Sequence, residues 1–174
     1  DAGARRVRLT ATSAVRDARD ARPLAEAIRE DTGLSMRIVS GRKEAAWAFL
    51  GAAWPFGPGE RLGVVDIGGG STEIALGTRE KVHSARSLQL GASRLFGSCP
   101  VDSPEGLELA VSQADALLQG LRFHPGFRPA RWLLVGGTGM ALIGLLIGRP
   151  THSGDMEDQD FTREEAGRVM RQLA

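Results

Sequence analysis

The run Asp66-Ile67-Gly68-Gly69-Gly70-Ser71-Thr72-Glu73 limits what this chain can fold into more than any other stretch. Ahead of it, residues 62–67 form a nearly continuous apolar run, as expected of a central strand buried on both faces. Behind it, Glu73-Ile74-Ala75-Leu76-Gly77 resumes as a second strand, so the glycines form a strand–turn–strand loop. Walker loops and dinucleotide-binding loops run into a helix instead, and neither G-x-x-x-x-G-K-[ST] nor G-x-G-x-x-G occurs. Three successive glycines leave backbone amides bare and permit positive φ, so that N–H groups can converge on an anion. Ser71 and Thr72 add hydroxyl donors. Asp66 and Glu73, one on each side of the cradle, would repel phosphate unless a divalent cation lay between them. Mg²⁺ is therefore expected. The alternative is an ordinary hairpin turn with Glu73 on the surface of the outgoing strand.

The rest of the chain alternates short strands and helices. Residues 7–11 predict a strand, and Thr12 and Ser13 lead from it into the polar turn at residues 16–19. A surface helix follows over residues 22–31, with Pro23 in its first turn and Gly33 as its stop. Residues 36–39 form a short strand, after which Ala45, Ala46, Phe49 and Leu50 make a helical stripe running to Trp54. Two Pro and two Gly within residues 55–61 break that pattern as a turn. A further strand is expected around residues 82–88, a long helix over residues 103–120, and a buried strand over residues 132–135. A largely apolar helix over residues 138–147 and a tail helix opening at Thr162 complete the pattern. Glu165 stands at capping-box spacing from Thr162. Mixed strands and helices imply an α/β protein.

A second glycine turn, Gly136-Gly137-Thr138-Gly139, lies between the buried strand and the apolar helix. There it can offer amides and a helix amino-terminus to a second anion, or it can serve only to pack turn against sheet. Glu44 falls in the first turn of a helix, where the helix dipole alone explains an acid. Arg16, following Thr12 and Ser13, can hold a phosphate bidentately or be solvated. His83, His124 and His152 have no ligand spacing and are assigned neither to a metal nor to catalysis.

Composition narrows the function classes. The 174 residues carry 22 Lys plus Arg against 21 Asp plus Glu, so no net field draws the chain to nucleic acid or to an acidic membrane surface. Any anion site must be local. Cys99 is the single cysteine, which excludes an intrachain disulfide and a Cys-based zinc site and makes a reducing cytoplasm the simplest home. The longest uncharged stretch, residues 132–148, is short for a membrane span and is interrupted by Gly136, Gly137 and Gly139.

Five stretches carry a resemblance, in order and in spacing. They are Ala11-Thr12-Ser13-Ala14-Val15-Arg16-Asp17-Ala18, Val39-Ser40-Gly41-Arg42-Lys43-Glu44-Ala45, the loop at residues 66–73, residues 88–95, and Val135-Gly136-Gly137-Thr138. Together they resemble the exopolyphosphatase and guanosine pentaphosphate phosphohydrolase family, most specifically in the first three. The resemblance implies the actin-like, ribonuclease-H-like ATPase fold, a mixed sheet with flanking helices, and an active site in the cleft between two domains. On that pattern residues 1–54 are the carboxy-terminal part of the first domain and residues 55–174 most of the second. A further phosphate loop, Asp-x-Gly-Ser-Asn-Ser, is expected ahead of them.

The implied activity is release of terminal phosphate from polyphosphate or from guanosine pentaphosphate with Mg²⁺. Glu44 would be the general base toward water, and Asp66 and Glu73 the metal positions. Thr12, Ser13, Gly68, Gly69, Gly70, Ser71, Thr72, Gly136, Gly137 and Thr138 would hold phosphate, and Arg16 would neutralise charge building in transfer. The expected partners are polyphosphate or guanosine pentaphosphate, with a homodimer allowed and with neither nucleic acid nor a membrane. Lys43 departs from the family's usual acidic or amide residue, and a cation there can pair with Glu44 or contact the substrate. Two other functions compete: a binding module for guanosine polyphosphate or polyphosphate that has lost turnover, and a sugar or acetate kinase relative of the same fold.

Overall fold

The computed structural model describes residues 3–99, 101–123, 125–148 and 160–173. A small parallel pair opens the chain: β1 (Leu9–Ala11) lies beside β2 (Met36–Ile38), with Leu9 opposite Met36. Between them run α1 (Ser13–Arg16) and α2 (Arg22–Thr32), the latter ending at Gly33 as the sequence predicts. Thr12 and Ser13 lead into the single helical turn α1, closed by Arg16 N–H donating to the Thr12 carbonyl at 2.9 Å, and the polar turn expected at residues 16–19 follows as a turn and bends over residues 17–19. The first strand begins two residues later than expected, at Leu9.

The main sheet has the order β5-β4-β3-β6. Its strands are β3 (Leu62–Ile67), β4 (Thr72–Thr78), β5 (Lys81–Leu88) and β6 (Arg131–Val135). The first three form an antiparallel meander, and β6 returns parallel to β3. Between β5 and β6 the chain forms α4 (Ala92–Ser98) and α5 (Pro104–Gln119), with the Ser103 hydroxyl capping α5 through the Gly106 amide. After β6 come α6 (Gly137–Ile147) and α7 (Arg163–Leu173). The capping box at the start of α7 is complete: the Thr162 amide donates to Glu165 Oε2 at 2.7 Å, and the Glu165 amide donates to Thr162 Oγ1 at 3.2 Å.

One helix decides where the core sits. In α3 (Gly41–Ala53) the residues Ala45, Phe49 and Ala53 recur every four positions and form a single buried stripe. They pack on Leu62 and Val64 of β3, Ala75 of β4 and Ala85 of β5. Packing thus runs across the turn at residues 55–61. Leu50 and Trp54, expected on the stripe, lie off it and are exposed, because a four-residue repeat advances by about 40° per step and leaves them on the flank. Phe49 is fully enclosed, and burying a ring of that size contributes about 2–3 kcal/mol.

The period of two along the strands places the site. Leu62 and Val64 face α3, so Asp66, next in that series, shares their face at the end of β3. On β4 the same series brings Ala75 and then Glu73, and on β5 Ala85 and then Ser87. The polar ends of three core rows therefore meet the amino-terminal turn of α3. On the opposite face Gly63 lies under the Trp132 ring, where a Cβ would come within 2.5 Å of it. The strand expected to be buried at residues 132–135 is instead half-open, with Trp132 54% exposed, because among the described residues β6 pairs on one side only, with β3.

Candidate active site

Asp66 and Glu73 are direct partners across the β3–β4 ladder. Glu73 is 3% exposed, so the reading that left it on the surface of the outgoing strand is excluded. Its Oε1 accepts from Ser87 Oγ at 2.6 Å, and Ser71 also hydrogen-bonds to it. Burial pushes the Glu73 carboxyl above its ordinary range, against those two hydroxyls, and the charges of Glu44 and Asp66 push it further. Asp66 is raised too, first by burial and then by Glu44. The three acids named from the sequence thus feel one another as a cluster.

Glu44 stands in the first turn of α3, and its Oε2 accepts from Arg16 Nη1 at 2.9 Å. The same nitrogen donates to the Val39 carbonyl at 2.9 Å. Arg16 Nη2 is buried with no hydrogen-bond partner among the described residues. Lys43 does not pair with Glu44: its Nζ lies 5.1 Å from the Trp47 ring centroid, and the cation on Glu44 is Arg16. Close approach holds α3 here, since a Cβ on Gly41 would fall 2.3 Å from that of Ser87.

The triple glycine differs from expectation in its reason. None of Gly68, Gly69 and Gly70 adopts positive φ. Space is what requires them: a Cβ on Gly70 would lie 2.7 Å from Ser13 Oγ, and one on Gly69 would lie 3.0 Å from Ser93 Oγ. The loop's carbonyls point into α4, with Gly68 O accepting from Ala92 N at 2.9 Å and Gly69 O from Arg94 N at 3.0 Å. The Gly68 amide is used, donating to Ser71 O at 3.0 Å. The amides of Gly69 and Gly70 have no protein acceptor among the described residues.

The second glycine turn is brought against the first. Gly136 has φ 84°, and a Cβ there would sit 2.6 Å from Asp66 Oδ1. Gly137 faces open space, while Gly139 packs on Leu134. The hydroxyls expected to hold phosphate have partners inside the protein. Thr138 Oγ1 donates to Ile67 O at 2.8 Å, Ser13 Oγ to Asp17 Oδ2 at 3.0 Å, and Thr72 Oγ1 to Leu90 O. Thr12 is exposed and makes no side-chain cap. His83 is exposed and lies against Phe127; His124 and His152 lie outside the described residues.

Sequence reasoning missed Ser87, Asp17 and Arg94. Arg94 Nε donates to Gly70 O at 2.7 Å and its Nη2 to Asp17 Oδ2 at 2.6 Å. Asp17 and Arg94 both fall inside stretches used for the resemblance, and Ser87 could have been found from period two, counted on from Ala85.

Two carboxylates facing each other on paired strands, both raised by burial and by like charge, fit a divalent cation. No group of three or more His, Cys, Asp or Glu placed to hold a metal occurs among the described residues. Water and substrate oxygens would have to complete the shell, which is the habit of Mg²⁺. Among the described residues no helix is long and apolar enough to cross a membrane.

An exopolyphosphatase-like protein of known structure superposes with a TM-score of 0.85 at 25% identity, over 95% of this chain and 55% of that one. The Aquifex aeolicus PPX-GPPA enzyme does so with a TM-score of 0.78 at 23% identity, over 98% of this chain and 57% of that one. The molecule is thus an α/β protein of the actin-like, ribonuclease-H-like ATPase fold, with a mixed sheet and flanking helices. The model of the Ppx/GppA phosphatase family matches residues 1–126, and the chain belongs to that family. Exopolyphosphatase 2 of Mycobacterium tuberculosis is 36% identical over 155 residues, covering 82% of this chain and 47% of the relative. Exopolyphosphatase 1 of Mycobacterium bovis is 38% identical over 97 residues, covering 55% of this chain and 28% of the relative. The chain therefore spans less than half the length of these curated relatives.

Proposed function

We propose that the protein carrying this chain is a phosphoanhydride hydrolase that releases terminal orthophosphate from polyphosphate, with guanosine pentaphosphate as a second candidate substrate. The observation that carries the reading is the convergence of Glu44, Asp66 and Glu73 beside a glycine loop with two amides that face no protein acceptor among the described residues. Names of the curated relatives support the substrate class.

Asp66 and Glu73 would hold Mg²⁺, whose charge neutralises phosphate oxygens and polarises the anhydride. The amides of Gly69 and Gly70 orient the terminal phosphate, and Arg16 Nη2 offers a further donor. Glu44 accepts the proton of the attacking water as the new P–O bond forms and the anhydride P–O bond breaks. Orthophosphate leaves, together with a chain one phosphate shorter. The pair with Arg16 fixes the Glu44 carboxylate in direction, as a base of this kind requires.

A binding module without turnover is the second reading. It is favoured by the same ion pair, because an arginine already committed to Glu44 is less free to neutralise a substrate. Phosphate release by the full-length protein, measured with polyphosphate and with guanosine pentaphosphate with and without Mg²⁺, decides between them when run beside calorimetry. Release that depends on Mg²⁺ supports the hydrolase, and binding with no release supports the module.

A further inference from the structure

Two charged side chains not assigned to the reaction, Arg94 and Asp17, extend the Arg16–Glu44 pair into a line of four that alternates in sign from the glycine loop to Glu44. Arg94 Nη2 donates to Asp17 Oδ2 at 2.6 Å. Asp17 Oδ1 lies 3.9 Å from Arg16 Nε, and Arg16 Nη1 lies 2.9 Å from Glu44 Oε2. At its loop end Arg94 grips twice, through Nε on Gly70 O and through its own backbone amide on Gly69 O. Asp17 also accepts from Ser13 Oγ, the atom that leaves Gly70 no room for a Cβ.

We infer that Arg94 and Asp17 are positioning residues: they turn the Gly69 and Gly70 carbonyls away from the phosphate site and couple the loop to Glu44 through Arg16. A peptide whose carbonyl is held on one side presents its N–H on the other, since the peptide unit is planar and trans. The Gly68 carbonyl on Ala92 N therefore aims the Gly69 N–H, the Gly69 carbonyl on Arg94 N aims the Gly70 N–H, and the Gly70 carbonyl on Arg94 Nε aims the Ser71 N–H. Each such carbonyl, if free to rotate into the site, would face phosphate oxygens with a like partial charge. The chain of ion pairs gives the aimed loop and the base a common anchor in α1, so displacement of either is felt by the other. Arg serves here where Lys cannot do so fully, because one planar guanidinium reaches a carbonyl and a carboxylate from two nitrogens in a fixed fork.

This rests on the hydrolase reading, and the test separates the two. In the full-length protein with long-chain polyphosphate and Mg²⁺, Arg94→Met is expected to lower kcat by about 100-fold, more than it raises KM, with Arg94→Lys recovering part of the loss. Exchange of the Ala92 amide and of the amide at position 94, which are bonded to Gly68 O and Gly69 O, is expected to quicken by roughly tenfold in Arg94→Met while Ala45 and Phe49 in α3 keep their wild-type rates. Unchanged kcat in a folded Arg94→Met protein overturns the positioning role. Equal exchange at Ala92 and at position 94 in wild type and variant overturns it as well. Should wild type release no phosphate, the hydrolase reading falls and the exchange result alone decides the clasp. If Arg94→Met does not fold, Asp17→Asn carries the same two measurements with the same outcomes.

Discussion

Arg16 and Glu44, 28 residues apart in sequence, form an ion pair at 2.9 Å in which both side chains are 19% exposed. The pair ties α1 to the first turn of α3, and Arg16 adds a bond to the Val39 carbonyl between them. Replacing Arg16 by Met leaves a half-buried carboxylate and a carbonyl without their donor. The expected loss is about 2 kcal/mol, between the values for exposed and fully buried pairs, read by urea denaturation of the purified chain. A loss below about 0.5 kcal/mol would mean that the pair forms no part of the folded framework.

Asp66 and Glu73 give a pH dependence of definite sign. Both carboxyls hold their proton more tightly in the folded chain than in the unfolded one. The folded state therefore binds more protons between the ordinary values, 3.8 and 4.5, and the raised ones, and stability falls as pH rises through that window. Below it the penalty is absent; above it the penalty is complete. Asp66→Asn is expected to gain stability over wild type as pH rises from 4 toward 7, in melts without divalent cation. Adding Mg²⁺ is expected to raise the wild-type melting temperature and to do less for Asp66→Asn, because a ligand that binds only the folded state stabilises it by mass action. Parallel pH curves for the two proteins would contradict this.

Gly136 combines positive φ with a Cβ position 2.6 Å from Asp66 Oδ1. Gly136→Ala is expected to cost about 1–3 kcal/mol in stability and to displace the Asp66 carboxylate, lowering Mg²⁺ affinity. Calorimetric titration with Mg²⁺ checks it. Gly137→Ala faces open space and serves as the matched control, with affinity kept.

Phe49→Ala removes the largest side chain of the core between α3 and the sheet. A loss of about 3–5 kcal/mol is expected by chemical denaturation, against less than about 1 kcal/mol for exposed Leu50→Ala on the same helix. Equal losses would mean that the buried stripe of α3 is wrongly placed.

Much of this arrangement was legible because it follows from local rules. The apolar run of β3, the turn chemistry of residues 68–70 and the capping box of α7 each state their own structure. Period two then carries Asp66, Glu73 and Ser87 to one face, although only the first two are conspicuous as acids. What stayed hidden depends on contacts far apart in the chain. No local signal told that Gly70 is glycine because Ser13 crowds it, or that Arg16 rather than Lys43 would meet Glu44. The half-open β6 was misread as buried because an apolar run does not report whether a strand has one neighbour or two.

The most direct test of the hydrolase is Glu44→Gln in the full-length protein, with Mg²⁺-dependent phosphate release from polyphosphate measured beside calorimetric binding. Release is expected to fall by about 10²–10⁴-fold, the worth of a general base, with polyphosphate affinity kept within a few-fold. Release at the wild-type rate would contradict the assignment of Glu44 and, with it, the chemistry built on the convergence of the three carboxylates.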